Sequence, residues 1–172
     1  MRKGDLFKDT LVFANDEPIL KETIRKSTVI DWTRYFCLDS SGISVSSLDE
    51  SHVGLVNQTW KFGKSGEAAR MIRNMLANFP SCCVLDAEGK PVSWILTYAS
   101  CAMGMLYTLP AHRGKGFARV LVSAMTKKLH TQGYPVYCFI EEENMLSYRL
   151  FKNLGFIEDP SYRETWFGFN DL

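Results

Sequence analysis

The sequence predicts an α/β protein with one mixed sheet and helices on both of its faces. Three observations predict this fold class: a helix with a single apolar face, a hairpin of two apolar strands, and a strand–turn–helix–strand unit. The last unit requires parallel strands with a right-handed crossover, whereas the hairpin requires antiparallel strands. The expected order of elements is β-α-α-β-β-β-α-β-α-β-β.

The bulk composition is that of a globular protein whose net charge selects no partner. Of the 172 residues, 46% are hydrophobic and 23% are charged, and the formal net charge is +1. No whole-chain field therefore favours nucleic acid or an anionic membrane, and no apolar run approaches the roughly 20 residues of a membrane span. The five cysteines form no C-x-x-C pair and the three histidines lie far apart, so we expect neither a metal site nor a disulfide framework.

The N-terminal segment is expected to be an extension of the main domain. Residues 1–40 are too short to bury a core alone, so we expect them to pack on a domain covering 41–172. They offer a strand at Thr10–Ala14 and a helix at Pro18–Ser27. The turn formers Asp39–Gly42 mark the boundary.

The apolar pattern after residue 42 places the next elements. Ile43–Leu48 alternates as a half-buried strand does, and Asp49 or Ser51 is expected to cap a short helix. A second helix carries apolar residues at helical spacing, and Pro80 ends it. These apolar residues are Ala68, Met71, Ile72, Met75, Leu76 and Phe79.

The rest of the chain reads as strands and helices in alternation. A hairpin-sized turn joins Cys82–Leu85 to Val92–Ala99, and a third strand, Met103–Leu109, leads to a helix at about Gly116–Gln132. The remaining expected elements are a strand at Val136–Ile140, a helix at Asn144–Asn153 closed by Gly155 in the left-handed conformation, and two last strands at Phe156–Glu158 and Thr165–Phe169.

The most informative chemical signal is the basic, glycine-rich turn at Arg113–Ala118, which opens a helix. Its glycines, Gly114 and Gly116, let the backbone approach a ligand, and the first free N–H groups of the helix point into the turn. The helix dipole favours an anion there, and Arg113 and Lys115 add positive charge. The pattern indicates a cradle for a pyrophosphate.

The glycine-rich segments are also compatible in part with three other interpretations. A dinucleotide fingerprint beginning at Gly114 needs glycine at Arg119, and a P-loop ending in Gly63–Ser65 needs glycine at Gln58. The sequence therefore excludes both. A plain strand-to-helix turn without a ligand stays open on the chemistry alone.

Two motifs carry a resemblance to a known superfamily. Arg113-x-x-Gly116-x-Ala118 resembles the GNAT signature R/Q-x-x-G-x-G/A, between the expected strand and helix. The stretch from Asn144 to Phe156 is similar to the superfamily's helix N-x-x-A-x-x-L-Y-x-x-x-G-F. The resemblance implies a GNAT-type fold and an N-acyltransferase that uses acyl-CoA as a co-substrate.

A narrower resemblance points to the glycine N-acyltransferase family, whose members have an additional N-terminal half that this chain mostly lacks. It covers most of 43–158 and implies transfer of an acyl group to the amino group of a small amino acid such as glycine. It also implies a mitochondrial location, with a cytoplasmic one as the alternative. The matching segments are Val56–Gly63, Asn78–Cys83, Gly89–Trp94 and Tyr107–Pro110.

The resemblance further implies where the coenzyme binds. In such folds it lies between two parallel strands that splay apart, here around Met105–Leu109 and Val136–Ile140. Strand N–H groups then polarise the thioester carbonyl, with neither a metal nor a permanently bound cofactor. The implied coenzyme-binding residues are Tyr107, Thr108, Leu109, Arg113, Gly114, Lys115, Gly116, Phe117, Ala118, Asn144 and Ser147.

The catalytic positions depart from the family pattern. The family's glutamate base falls on Ala102, and Gly104 stands where several relatives carry arginine. The leaving-group tyrosine falls on Phe151, so Tyr148, one turn earlier, is the candidate proton donor. The run Glu141–Glu143 reads as a solvated loop that caps the next helix, and Glu141, Glu142 or Tyr148 is the alternative base, acting through a water.

Three functional hypotheses follow. The first is a small-amine N-acyltransferase. The second is an acyl-CoA-binding module with weak or lost catalysis, which the departures at Ala102, Gly104 and Phe151 favour. The third is a peptide or protein N-acetyltransferase.

Overall fold

The computed structural model describes residues 9–14 and 44–165, with the side chains of 44–160. Its strands form a seven-stranded mixed sheet in the order β2-β3-β4-β5-β6-β1-β7. The fold class predicted from the sequence is therefore confirmed. The strands are β1 (Asp9–Ala14), β2 (Ser44–Ser46), β3 (Cys82–Leu85), β4 (Pro91–Thr97), β5 (Met103–Thr108), β6 (Tyr137–Glu141) and β7 (Ile157–Thr165), and the α-helices of the described chain are α1 (Val53–Thr59), α2 (Gly66–Asn78), α3 (Phe117–Thr131) and α4 (Met145–Asn153).

Polar side chains begin the first two helices. Asp49 accepts a hydrogen bond from the Ser51 N–H at 2.9 Å, and His52 Nδ1 accepts one from the Asp49 N–H at 3.1 Å. This reciprocal pair starts the 3-10 turn Glu50–His52 that runs into α1. Ser65 accepts from the Ala68 N–H at 3.0 Å and caps α2. Asp49, one of the two expected caps, is thus confirmed.

The sheet is covered on both faces, and β4 is its most deeply buried strand. Trp94 and Leu96 pack towards α1 and α2, whereas Ile95 packs towards α3. All three side chains are at most 1% exposed. Because successive side chains of a strand point to opposite faces, β4 anchors two separate apolar clusters. The parallel pairing of β5 with β6 and the antiparallel hairpin of β3 and β4 agree with the prediction.

Two differences from the predicted boundaries concern the sheet. The strand expected at Phe156–Glu158 continues to Thr165 as β7, because both halves of β7 pair with β1 across a register shift between Leu11 and Val12. Strand β4 ends at Thr97, since the Tyr98 N–H donates to the Ala102 carbonyl at 2.9 Å and turns the chain. The predicted helix at Pro18–Ser27 and residues 166–169 lie outside the described residues.

The N-terminal strand β1 lies inside the sheet, antiparallel to both β6 and β7. It pairs with the whole of β6, from Ala14 opposite Tyr137 to Thr10 opposite Glu141. Residues that the sequence assigns to an extension thus hold one side of β6, while the domain boundary at residue 41 stays a prediction. No helix in the described ranges is both long and apolar enough to cross a bilayer.

Candidate active site

The glycine-rich turn delivers an uncapped helix N-terminus to the end of β5. Gly114 and Gly116 adopt φ of 76° and 81°, a left-handed conformation that side chains with a Cβ rarely take. Gly116 is the N-cap of α3, and no side chain of residues 44–160 accepts a hydrogen bond from the first N–H groups of the helix. Phe117, only 7% exposed, fixes the helix start in the core. The turn therefore presents free N–H donors and the positive end of a helix dipole to solvent.

Arg113 is held beside this helix end. Its Nε donates to the Thr108 carbonyl at 3.1 Å, and its guanidinium carbon lies 5.7 Å from the centre of the Tyr107 ring. Tyr107 in turn stacks on the buried Trp94, with ring centroids 5.5 Å apart. The chain of contacts orients a positive charge at the carboxyl end of β5, and Lys115 lies exposed in the same turn.

Strands β5 and β6 separate immediately after they meet. Within the described residues their parallel ladder holds one registered pair, Met103 with Cys138. Beyond it, Met105 and Leu106 stand opposite the single residue Ile95 of β4, and Met105 adopts φ of 51°. This is a β-bulge, which bends a strand and frees backbone groups from the ladder. The seam predicted from the resemblance is therefore present in the backbone.

Aromatic side chains line the β6 side of the seam on the face of α1 and α2. Cys138 and Ile140 pack towards α3, so strand alternation puts Tyr137 and Phe139 on the opposite face. The two rings contact edge to face, with centroids 5.6 Å apart, and the Tyr137 hydroxyl donates to the Ser100 carbonyl. The seam thus has an apolar wall on this face.

Ala102 and Gly104, the two positions that depart from the family pattern beside the seam, lie in an apolar environment. Ala102 is fully buried, and Gly104 lies under the ring of Tyr98, which a Cβ on Gly104 would overlap. Burial raises the pKa of Tyr98 to about 12, so its hydroxyl is neutral near pH 7. An aromatic ring therefore occupies this corner of the seam.

The family's proton-donor position, Phe151 here, and the candidate donor Tyr148 lie in different surroundings. Phe151 is 4% exposed and packs edge to face against Phe156, with centroids 5.0 Å apart, so that position is core. The Tyr148 hydroxyl lies 3.3 Å from Oε2 of Glu158. Desolvation and then the charge of Glu158 raise the pKa of Tyr148, which keeps its proton on the oxygen.

Asn144 and Ser147 are joined at the start of α4. The Asn144 side chain accepts from the Ser147 N–H at 3.2 Å and caps the helix. Asn144 is exposed and Ser147 is half-buried. This geometry accounts for Asn144 as a cap, and their contact with coenzyme stays a prediction.

Sequence reasoning missed one polar contact across the site. Lys61 Nζ lies 3.0 and 2.8 Å from the two carboxylate oxygens of Glu141, the last residue of β6. The two residues are 80 positions apart in sequence, so no local sequence pattern predicts their contact. The sequence predicts a solvated loop at Glu141–Glu143, with Glu141 or Glu142 as a candidate base, and indicates no partner for Glu141.

Residues 82–169 match the family model for the C-terminal region of aralkyl acyl-CoA:amino acid N-acyltransferases. Glycine N-acyltransferase of Bos taurus is 32% identical over 129 residues, which are 75% of this chain and 44% of that protein. Glycine N-acyltransferase-like protein 1 of Homo sapiens is 36% identical over 129 residues, covering 74% of this chain and 42% of the relative. The chain thus spans less than half the length of these relatives.

Solved structures share the fold at low sequence identity. A Drosophila protein superimposes with a TM-score of 0.71 at 17% identity, covering 89% of this chain and 48% of that one. A GNAT-family acetyltransferase of Novosphingobium aromaticivorans gives 0.62 at 15% identity, covering 91% and 62%. AAC(6')-Iy, solved with a bisubstrate analogue of CoA, gives 0.58 at 19% identity, covering 76% and 100%. These likenesses establish the GNAT fold.

Proposed function

This chain belongs to the aralkyl acyl-CoA:amino acid N-acyltransferase family, and from that membership we propose that it transfers an acyl group from acyl-CoA to the amino group of a small amino acid such as glycine. The observation that carries the proposal is the uncapped N-terminus of α3 beside the open seam between β5 and β6. The helix N-terminus suits the phosphates of the coenzyme, and the seam suits its extended pantetheine arm.

The proposed coenzyme site follows the turn and the strand that precedes it. The pyrophosphate lies against the N–H groups of Gly116, Phe117 and Ala118, with the charge of Arg113 beside it. The pantetheine arm lies along β5, where its amide groups pair with backbone from Tyr107 to Leu109. Gly114 and Lys115 complete the turn, and Asn144 and Ser147 face the coenzyme from α4.

The proposed chemistry is direct aminolysis of the thioester. The neutral amine attacks the carbonyl carbon and the carbonyl oxygen gains negative charge. Collapse expels the CoA thiolate, and the proton on the nitrogen passes to solvent water. Backbone N–H groups freed by the bulge at Met105 stabilise the developing oxyanion. Tyr148 supplies a proton to the thiolate once its hydroxyl leaves Glu158.

A second candidate is an acyl-CoA-binding module with weak or lost catalysis. Three positions favour it: Ala102 is buried and carries no proton acceptor, Gly104 lies under Tyr98, and Phe151 belongs to the core. All three positions concern proton transfer or the space for the acceptor amine. None belongs to the phosphate cradle, so in this hypothesis the protein binds acyl-CoA without transferring its acyl group.

Thiol release from acetyl-, benzoyl- and longer acyl-CoAs separates the two candidates. We expect release to depend on added glycine, glutamine or phenylalanine, with the N-acyl amino acid identified by mass spectrometry. Tight binding of CoA without amine-dependent release would favour the binding module. Absence of both would overturn the proposal.

We also propose a mitochondrial location, which the family resemblance supports. Fractionation of cells that express the natural protein at its own level tests it. Recovery in the mitochondrial matrix would support the location, and recovery in the cytosol would contradict it.

A further inference from the structure

The ion pair between Lys61 and Glu141 joins a loop to the open end of the seam. Lys61 belongs to the loop between α1 and α2, whereas Glu141 closes β6. The ammonium contacts both carboxylate oxygens, at 3.0 and 2.8 Å. Strands β5 and β6 are already apart at Glu141, because their registered pair lies three residues earlier along β6, at Cys138. The charges therefore lie at the seam's wide end.

The loop that carries Lys61 is held in one conformation. The Asn57 side chain accepts from the Lys64 N–H at 2.9 Å and donates to the Ser65 carbonyl at 3.2 Å. A Cβ on Gly63 would overlap the carbonyl oxygen of Asn57, so the loop closes on itself at a glycine. These contacts within the loop fix the backbone near Lys61, so its position does not depend on the ion pair with Glu141 alone.

The pair is accessible and has apolar neighbours. The side chains of Lys61 and Glu141 are 56% and 29% exposed. Lys61 Nζ also lies 5.0 Å from the centre of the Phe62 ring, and that residue is 63% exposed. Strand alternation puts Glu141 on the same face as Phe139. A small ligand reaching this end of the seam would meet two opposite charges beside aromatic surface.

We propose that Lys61 and Glu141 bind the charged head of an α-amino acid acceptor, with its carboxylate on Lys61 and its ammonium on Glu141. An α-amino acid carries both charges on neighbouring atoms, so it matches a pair of opposite charges in contact. An exposed ion pair contributes little net stability, and exchanging it for two ligand contacts is therefore inexpensive. The inference rests on the proposed function, since it places the acceptor nitrogen at the seam where the thioester would lie.

Glycine and glycinamide, which lacks the carboxylate, test the inference with one acyl-CoA. We expect the natural protein to prefer glycine, and Lys61→Gln to raise the KM for glycine by about 10- to 100-fold, the size of a lost charge-assisted hydrogen bond. Glycinamide turnover and the Kd for CoA should change by less than about threefold. Glu141→Gln should raise KM for both acceptors, because both carry an ammonium.

Lys90→Gln is the matched control, since Lys90 forms an exposed ion pair with Glu88 at 2.7 Å in the β3–β4 turn. Lys90→Gln should leave the KM for glycine and the KM for glycinamide unchanged. Equal loss of glycine and glycinamide turnover in Lys61→Gln, or the same KM for glycine as in Lys90→Gln, would overturn the inference. Thermal melting of each variant verifies that the fold is retained.

Failure of the proposed function has a different signature. If no acceptor is acylated, glycine binding to the CoA-saturated protein is followed by NMR. Amide shifts around residues 61 and 141 that are absent in Lys61→Gln would support the head-group site without turnover. Absence of such shifts in the natural protein would contradict it.

Discussion

The ring of Tyr98 lies against the backbone of Gly104, where a Cβ would overlap its Cε2 atom. Tyr98 follows β4 and Gly104 lies at the start of β5, so the contact closes the hairpin beside the seam. Any side chain at position 104 competes with Tyr98 for the same space. This relationship gives the corner of the seam an aromatic surface in place of a charged one.

Gly104→Ala should lower the free energy of unfolding by about 1–3 kcal/mol, because the added methyl group displaces the Tyr98 ring. In a Tyr98→Ala background the same change should have little effect, which a double-mutant cycle in urea measures. Gly54→Ala in α1 is the control. No atom of the described residues lies within 4 Å of the added Cβ, so we expect a neutral or stabilising effect. Additive effects at 98 and 104 would contradict the contact.

Tyr98 should also make stability depend on alkaline pH. Burial raises its pKa from 10.0 to about 12. The folded state holds this proton more tightly than the unfolded state, so the stabilisation is complete below about pH 10 and is lost as pH rises towards about 12. The free energy of unfolding, measured by urea titration, should therefore fall by about 1–2 kcal/mol less between pH 10 and pH 12 in Tyr98→Phe than in the natural protein. Identical pH slopes in the two proteins would argue against a buried phenol.

The pH dependence of the proposed transfer tests whether a base acts in place of the family's glutamate, which is Ala102 here. Ala102 has no proton acceptor and is fully buried, so we expect the rate with glycine to rise continuously with pH as the free amine becomes more abundant. The deficit against a positioned base is about 10²–10⁴-fold. A plateau near neutral pH would refute this, and its loss in Glu141→Gln would assign the role to Glu141. Tyr148→Phe should leave the shape of the profile unchanged.

The regular elements could be predicted because their signals are local. Helical spacing from Ala68 to Phe79 predicts the helix observed as α2. The glycine-rich turn predicts a helix from about Gly116, one residue before the observed start of α3. Strand β1 also appears within one residue of its expected start. The insertion of β1 between β6 and β7 depends on pairings distant in sequence, and the same pairings extend β7 beyond its expected end at Glu158.

The details of the candidate site are largely non-local. Methionine has little preference for positive φ, so the bulge at Met105 arises from the register of β4 and not from its own sequence. The partnership of Lys61 with Glu141 depends on a loop and a strand end that the fold alone brings together. The glycines at 114 and 116 are the opposite case, because their chemistry is visible in the sequence.

Calorimetric titration with CoA of the natural protein, Gly116→Val and Gly89→Val tests the account most directly. Both glycines have positive φ, 81° and 76°, and open space around a Cβ, so both substitutions impose a similar backbone strain. Only Gly116 lies at the N-terminus of α3, where a bulky side chain would stand in the path of the phosphates. We predict that CoA binds the natural protein and Gly89→Val alike and binds Gly116→Val at least about tenfold more weakly. Equal affinity in all three proteins, or no binding by the natural protein, would contradict the phosphate cradle.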